Sequence, residues 1–287
     1  MVDDFSNDAL VLIAHGSTVN AQSSAPTRRL AAELRTRKIF AEVACAFNLE
    51  EPKIDDVPKL VSANRIFIVP VTISEGHFTE QTIPHRLGLA APGETDYERI
   101  QQCNGRTLIY CHPIGTHPSM TDVLLARARA IVEQHPFPRV PKPAETALFI
   151  AGHGTEKNAN SRKAIEAQVA AIRVRGKYTD VQSIFMEEAP FIADCFTATE
   201  APHIVIVPFF IADGLHTVED IPVLLGESAA RVTKRLTAGQ PTWRNPTERK
   251  DKLVWYTKAI GSESGLVEVI LERVDEGKSQ FQGSFNT

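Results

Sequence analysis

This sequence is short of cysteine, of aromatics, of net charge and of long apolar runs, and each shortage removes a class of protein. Its four cysteines, Cys45, Cys103, Cys111 and Cys195, fall into no CxxC or other ligand-type spacing. That argues against a disulfide framework or an iron–sulfur site and fits reduced thiols. No apolar run approaches the ~20 residues needed to span a bilayer, and the acidic start MVDDFSND lacks the basic-then-apolar order of a secretory leader. The expectation is a cytoplasmic protein with no membrane partner. A formal net charge of -4 gives no bulk attraction for nucleic acid. What remains is an ordinary globular composition, 43% hydrophobic and 23% charged over 287 residues. That length is enough for two domains, each with its own core.

The chain repeats itself. An offset of 138 positions carries His15-Gly16 onto His153-Gly154, Asn20 onto Asn158, Phe47 onto Phe185 and Glu50 onto Glu188. The same offset carries IFIVP (66–70) onto IVIVP (204–208), Gly76 onto Gly214, Thr79 onto Thr217 and Ile83-Pro84 onto Ile221-Pro222. Further on, PIGTHPSMTDVLLAR (113–127) matches AIGSESGLVEVILER (259–273) at an offset of 146. The second copy therefore carries a short insertion, placed in GQPTWRNPTERKDK (239–252), which reads as a surface loop. Chance similarity does not hold register this long, so two homologous domains are expected, 1–140 and 141–287. The proline-rich HPFPRVPKPAE (135–145) between them reads as a semi-rigid linker.

In each copy short continuous apolar strands alternate with helices of period 3.6. In the first, ALVLIA, AEVACAF, RIFIVPV and RTLIYCH read as strands; APTRRLAAELRTR, IDDVPKLVSA and MTDVLLARARAIVEQ read as helices. This pattern predicts an α/β protein of two tandem three-layer α/β/α domains, each around a mainly parallel sheet. In such sheets ligands collect beyond the carboxyl ends of the strands, at a switch point.

That rule picks out a set of residues. His15 and His153 end the first strand of their copies, each followed by a glycine that permits a tight exit. His77 and His216 lie in the loop after the third strand; Glu50-Glu51 and Glu187-Glu188 follow the second. Two imidazoles and a carboxylate at one rim make a plausible open site for a divalent transition metal. The alignment holds one irregularity: in the gapless frame His77 faces Leu215 and Phe78 faces His216. Either the loop backbone absorbs this one-residue shift or one copy has lost the geometry. His85, His135 and His203 have no counterpart and read as surface or packing residues, as does His112, with His117 an outside candidate.

AHGS and GHGT at strand ends, GLHTVEDIP (214–222) and PIGTHP before a helix together resemble the CbiX family of class II tetrapyrrole chelatases, once per copy. The resemblance implies ATP-independent insertion of Co²⁺ or Fe²⁺ into sirohydrochlorin, toward cobalamin or sirohaem. The metal would be a substrate, and no prosthetic group is implied. His153 and His216, and in the first copy His15 and His77, would bind the metal and help remove the pyrrole protons. A family carboxylate would fall on Glu187 or Glu188, with Glu50 the repeat equivalent of the latter. A neutral imidazole can hold a metal and accept a proton near neutral pH. Arg28, Arg29, Arg162 and Lys163 are candidates to face the acidic macrocycle, although a solvated helix face explains them as well. Short family members pair as homodimers, so the tandem chain is expected to mimic that dimer as a monomer. The alternatives are a chelatase for another tetrapyrrole or for nickel, or a non-catalytic carrier of tetrapyrrole or metal. A hydrolase using Ser17 is disfavoured, because AHGST lacks the G-x-S-x-G elbow and Thr155 replaces the serine in the second copy.

Overall fold

The computed structural model describes residues 4–154 and 159–283. Thr155 and Asn158, matched by the repeat, lie outside them. The first sheet comprises β1 (Phe5–Ala14), β2 (Phe40–Phe47), β3 (Arg65–Pro70), β4 (Ile100–Cys103) and β5 (Arg106–Tyr110), in the order β2-β1-β3-β5-β4. The second repeats it with β6 (Thr146–Gly152), β7 (Asp180–Phe185), β8 (His203–Pro208), β9 (Thr247–Arg249) and β10 (Lys252–Tyr256), in the order β7-β6-β8-β10-β9. All pairings are parallel except the edge pairs β4–β5 and β9–β10. The helices are α1 (Ala25–Arg37), α2 (Val57–Leu60), α3 (Ile83–Leu87), α4 (Met120–Gln134), α5 (Ala159–Val174), α6 (Ile221–Leu224), α7 (Ala229–Thr237) and α8 (Gly265–Gly283).

The expected α/β/α layers follow from the strands. Ala9, Val11 and Ile13 of β1 join Ile54, Val57 and Ile83 in a core on one face of the first sheet. The alternate residues Leu10 and Leu12 are equally buried on the other face, where α1 packs. Both faces being covered, the strands read as continuous apolar runs rather than alternating ones. In the second sheet Ala147, Phe149 and Ala151 likewise join Ile192, Ile221, Leu225 and Trp243.

The compact units differ from the sequence repeats. One unit comprises Met1–His117 with Ser264–Thr287, the other Pro118–Glu263, so the expected division at 140/141 separates the repeats but not the cores. The reason is that the last helix of each repeat covers the sheet of the other repeat. α4 packs on β8, β10 and α5, and α8 packs on β3, β5 and α1. Both helices have an equivalent apolar stripe, with Val123, Leu124, Ala128 and Val132 buried in α4 and Leu266, Val267, Ile270 and Val274 in α8. A hydrophobic stripe records that a helix is covered and not by which sheet.

Two further expectations change. IDDVPKLVSA forms only a 3₁₀ turn at Ile54–Asp56 and the single turn of α2, with Pro58 restricted to the helix start. The segment 239–252 is only partly a surface loop. It buries Trp243 and Thr242 and forms β9, which pairs with β10 across a turn at Lys250 and Asp251, both with positive φ. A three-residue strand is too short to show a period.

Candidate active site

In each sheet the chain leaves the first strand toward one neighbour and returns on the other side, which puts the switch point between β1 and β3, and between β6 and β8. His153 follows β6 directly, and the loop after β8 leads to a single turn of π-helix at His216–Asp220. A π turn is uncommon and concentrates at functional sites. This one is pinned from below: Tyr256 donates its hydroxyl hydrogen to the Thr217 carbonyl oxygen at 2.7 Å, and the Gly214 N–H donates to Thr217 Oγ1 at 3.0 Å.

The result is an imidazole pair. The rings of His153 and His216 meet edge to face, with centroids 4.8 Å apart and planes at 82°. His153 Nδ1 lies 2.9 Å from the Gly154 carbonyl oxygen, and His216 Nδ1 lies 2.7 Å from Asp220 Oδ2. A carbonyl oxygen and an ionised carboxylate can only accept, so each Nδ1 carries a hydrogen, and in the neutral ring the lone pair falls on Nε2. Both rings are therefore held in the tautomer that binds a metal or takes up a proton at Nε2. Glu187 stands nearby, its Oε2 3.6 Å from His153 Nδ1. Among the described residues no three His, Cys, Asp or Glu side chains are grouped to hold a metal ion, so the site offers two nitrogens rather than a closed cage.

The neighbouring Glu188 has a different task. It accepts from Arg162 Nη1 at 2.9 Å, and it lies against Gly154, whose φ of +71° and missing Cβ make room for it. Glu50 repeats this arrangement: Arg28 Nη2 donates to it at 3.3 Å, beside Gly16 at φ +66°. Arg28 and Arg162 also donate to the carbonyls of Glu51 and Ala189 and lie over the Phe47 and Phe185 rings. These two arginines and their carboxylates brace the β–α corner, so Arg28 and Arg162 are engaged within the protein. Arg29 forms an ion pair with Glu33 along its own helix.

The first unit keeps this scaffold but sets a different ring against its strand-end histidine. Its π turn at Phe78–Thr82 is pinned in the same way, Tyr110 donating to the Thr79 carbonyl at 2.6 Å and Gly76 N–H to Thr79 Oγ1 at 2.9 Å. The gapless frame is thus the structural one, and the ring that meets His15 belongs to Phe78, not His77. The two stack with centroids 3.7 Å apart. His77 occupies the place of exposed Leu215, with Nδ1 3.3 Å from Thr82 Oγ1. Leu49 stands at the position of Glu187, and Thr82 at that of Asp220. Among the described residues His15 and His77 make no ring contact like that of His153 and His216. Asp220 is the residue that the sequence reading passed over; its signal was the i, i+4 spacing from His216 on a helical turn.

Loss of water around the stacked ring pulls the His15 pKa below its ordinary 6.5. The unfolded chain then binds the proton more readily, so this residue's contribution opposes folding as pH falls through 6.5. An NMR titration is expected to find His15 changing charge below pH 6.5, and Phe78→Ala to bring it back toward that value. An unmoved midpoint in the variant would show that the stack is not the cause. Of the other histidines, His112 faces Glu75 Oε1 at 2.9 Å, and His117 is buried between Glu272 and Glu276.

The model of the CbiX family matches residues 9–131 and again 147–277. This chain belongs to the CbiX family. Its two matched stretches are the two sequence repeats. Over 275 residues, 92% of this chain and 90% of the relative, it is 36% identical to a probable sirohydrochlorin cobaltochelatase of Halobacterium salinarum. A sirohydrochlorin cobaltochelatase of Methanococcus aeolicus is 28% identical over 141 residues, which cover 98% of that protein but 42% of this chain. Among solved structures, a multi-domain protein of Deinococcus radiodurans described as similar to chelatases matches with a TM-score of 0.76 and 27% identity. The match covers 95% of this chain and 55% of that one. The CbiX repeat thus occurs once in a short relative and twice here.

Proposed function

We propose that this CbiX protein is a sirohydrochlorin chelatase that inserts Co²⁺ or Fe²⁺ into the macrocycle at the His153–His216 pair of its second repeat. One observation carries the reading: two imidazoles that meet edge to face, each with Nδ1 on an acceptor and with no partner on Nε2 among the described residues. The names of the relatives supply the macrocycle and the metal class. Metallation exchanges two pyrrole N–H protons for one divalent ion. A neutral Nε2 can present the metal or take a pyrrole proton, and the Asp220 carboxylate stabilises the imidazolium that forms. Glu187, beside His153, is placed to receive the second proton or to steady the charge. Imidazole binds both Co²⁺ and Fe²⁺ well, so the ligand set serves either ion.

The test mixes sirohydrochlorin with Co²⁺ or Fe²⁺ and follows the macrocycle's absorbance with and without the full chain. Acceleration over the spontaneous rate is expected without ATP. Tight binding of the macrocycle with insertion still at the spontaneous rate would replace the enzyme with a carrier.

A further inference from the structure

The second unit contains a cavity of about 950 Å³ that the histidine pair does not line. Such a volume is at the upper end of small-molecule sites, which run to roughly 1,000 Å³. Its walls are α4, α7, the end of β10 and the segment 240–245. Thr217 and Val218, the two residues after His216, also border it, so cavity and histidine pair share one turn. Trp243 and Tyr256, packed edge to face with centroids 6.2 Å apart, give it a rigid aromatic wall.

The charge around this cavity is lopsided. Arg127, Arg235, Arg244 and Lys258 line it, against a single carboxylate, Asp213. Three of these five are already engaged. Asp213 accepts from the Ala259 N–H at 2.8 Å, Arg127 pairs with Glu263 at 2.9 Å, and Arg235 donates to the Thr242 carbonyl at 2.9 Å. The backbone carbonyls of Arg244 and Lys258 accept from Thr247 and Thr257, but their side chains form no hydrogen bond or ion pair with any described residue, and both residues are exposed. The first repeat offers nothing equivalent: at the same offset of 146, Glu98 stands where Arg244 does, and His112, tied to Glu75, stands where Lys258 does. The repeat that keeps the imidazole pair is also the one with two uncommitted cations on a cavity beside it.

We propose that this cavity binds a carboxylate-bearing organic anion through Arg244 and Lys258. A planar guanidinium grips a carboxylate with two parallel hydrogen bonds, and an ammonium adds a mobile point charge. The carboxylates come from one of two sources, the acidic side chains of the macrocycle or a separate small polycarboxylate. The first source rests on the chelatase reading; the second does not.

The experiment uses the full chain, metal-free, with sirohydrochlorin and citrate as probes in separate binding titrations. Arg244→Ala and Lys258→Ala are each expected to weaken binding about tenfold, equivalent to about 1.4 kcal/mol. The double variant should weaken it further, and Arg244→Lys with Lys258→Arg should retain most of it. Thermal unfolding of these exposed-site variants should match the wild type, which separates lost binding from lost fold. Weakened macrocycle binding with unchanged citrate binding assigns the macrocycle's own carboxylates; the reverse assigns a separate anion. Wild-type affinity for both probes in the double variant, or no binding of either probe by the wild type, overturns the proposal. No metal is present, so these results stand even if the insertion assay fails. Loss of insertion in His216→Ala, together with wild-type affinity for both probes in the Arg244/Lys258 double variant, would leave the chelatase reading standing without the cavity.

Discussion

His153→Ala and His216→Ala are each expected to lower the rate of metal insertion into sirohydrochlorin by about 100-fold or more, and His15→Ala to leave it near the wild-type rate. The size follows from removing a group that acts on the reacting proton or metal, where losses of roughly 10²–10⁴ are usual. The asymmetry follows from the rings. His216 holds its hydrogen on Nδ1 toward Asp220 and faces His153, whereas His15 is stacked flat on Phe78. Asp220→Asn should fall between, at roughly 10- to 100-fold, because it orients a ligand rather than acting as one. Its pH–rate profile should also shift, which a merely structural role would not produce. Initial rates with Co²⁺ and Fe²⁺ at saturating macrocycle decide the matter. An equal loss on removing His15 would show that the first repeat shares the chemistry.

A matched pair of glycines gives the second large effect. Gly16→Ala and Gly154→Ala should both destabilise their units by about 2–5 kcal/mol. Each residue must hold a left-handed backbone, at a cost of ~1–2 kcal/mol, and the added methyl overpacks the corner by ~1–3 kcal/mol. At Gly154 a Cβ would lie 2.8 Å from Glu188 Cγ and from Phe185 Cβ; at Gly16 it would lie 2.6 Å from Glu50 Oε1. The stability losses are therefore similar and the activity losses are not. Gly154 supplies the carbonyl that fixes the His153 tautomer, so its displacement should cost activity well beyond the folded fraction lost. Gly16→Ala, measured well below its unfolding temperature, should insert metal at nearly the wild-type rate. Equal kinetic effects from the two would contradict a site confined to the second repeat.

The sequence by itself determined the duplication, the α/β class, the strand-end histidines and the family. These are properties of spacing: a buried strand needs a continuous apolar run, a covered helix needs a 3.6-residue stripe, and a tight exit needs glycine. Helix limits followed where the segment was long enough to show its period, as at α1 and α4, and the reading failed at β9, where three residues cannot establish one. Tertiary structure alone decided which ring faces His15, because a one-residue difference in a loop is settled by what pins the loop. Here the tyrosine–threonine tethers fix the π turn in the same place in both units and hand the position to Phe78 in one and His216 in the other. The same holds for the paired glutamates, whose roles depend on which of them Arg162 can reach. It holds too for the exchange of α4 and α8 between units: two helices with equivalent apolar stripes fit either sheet, and only the path of the chain selects one.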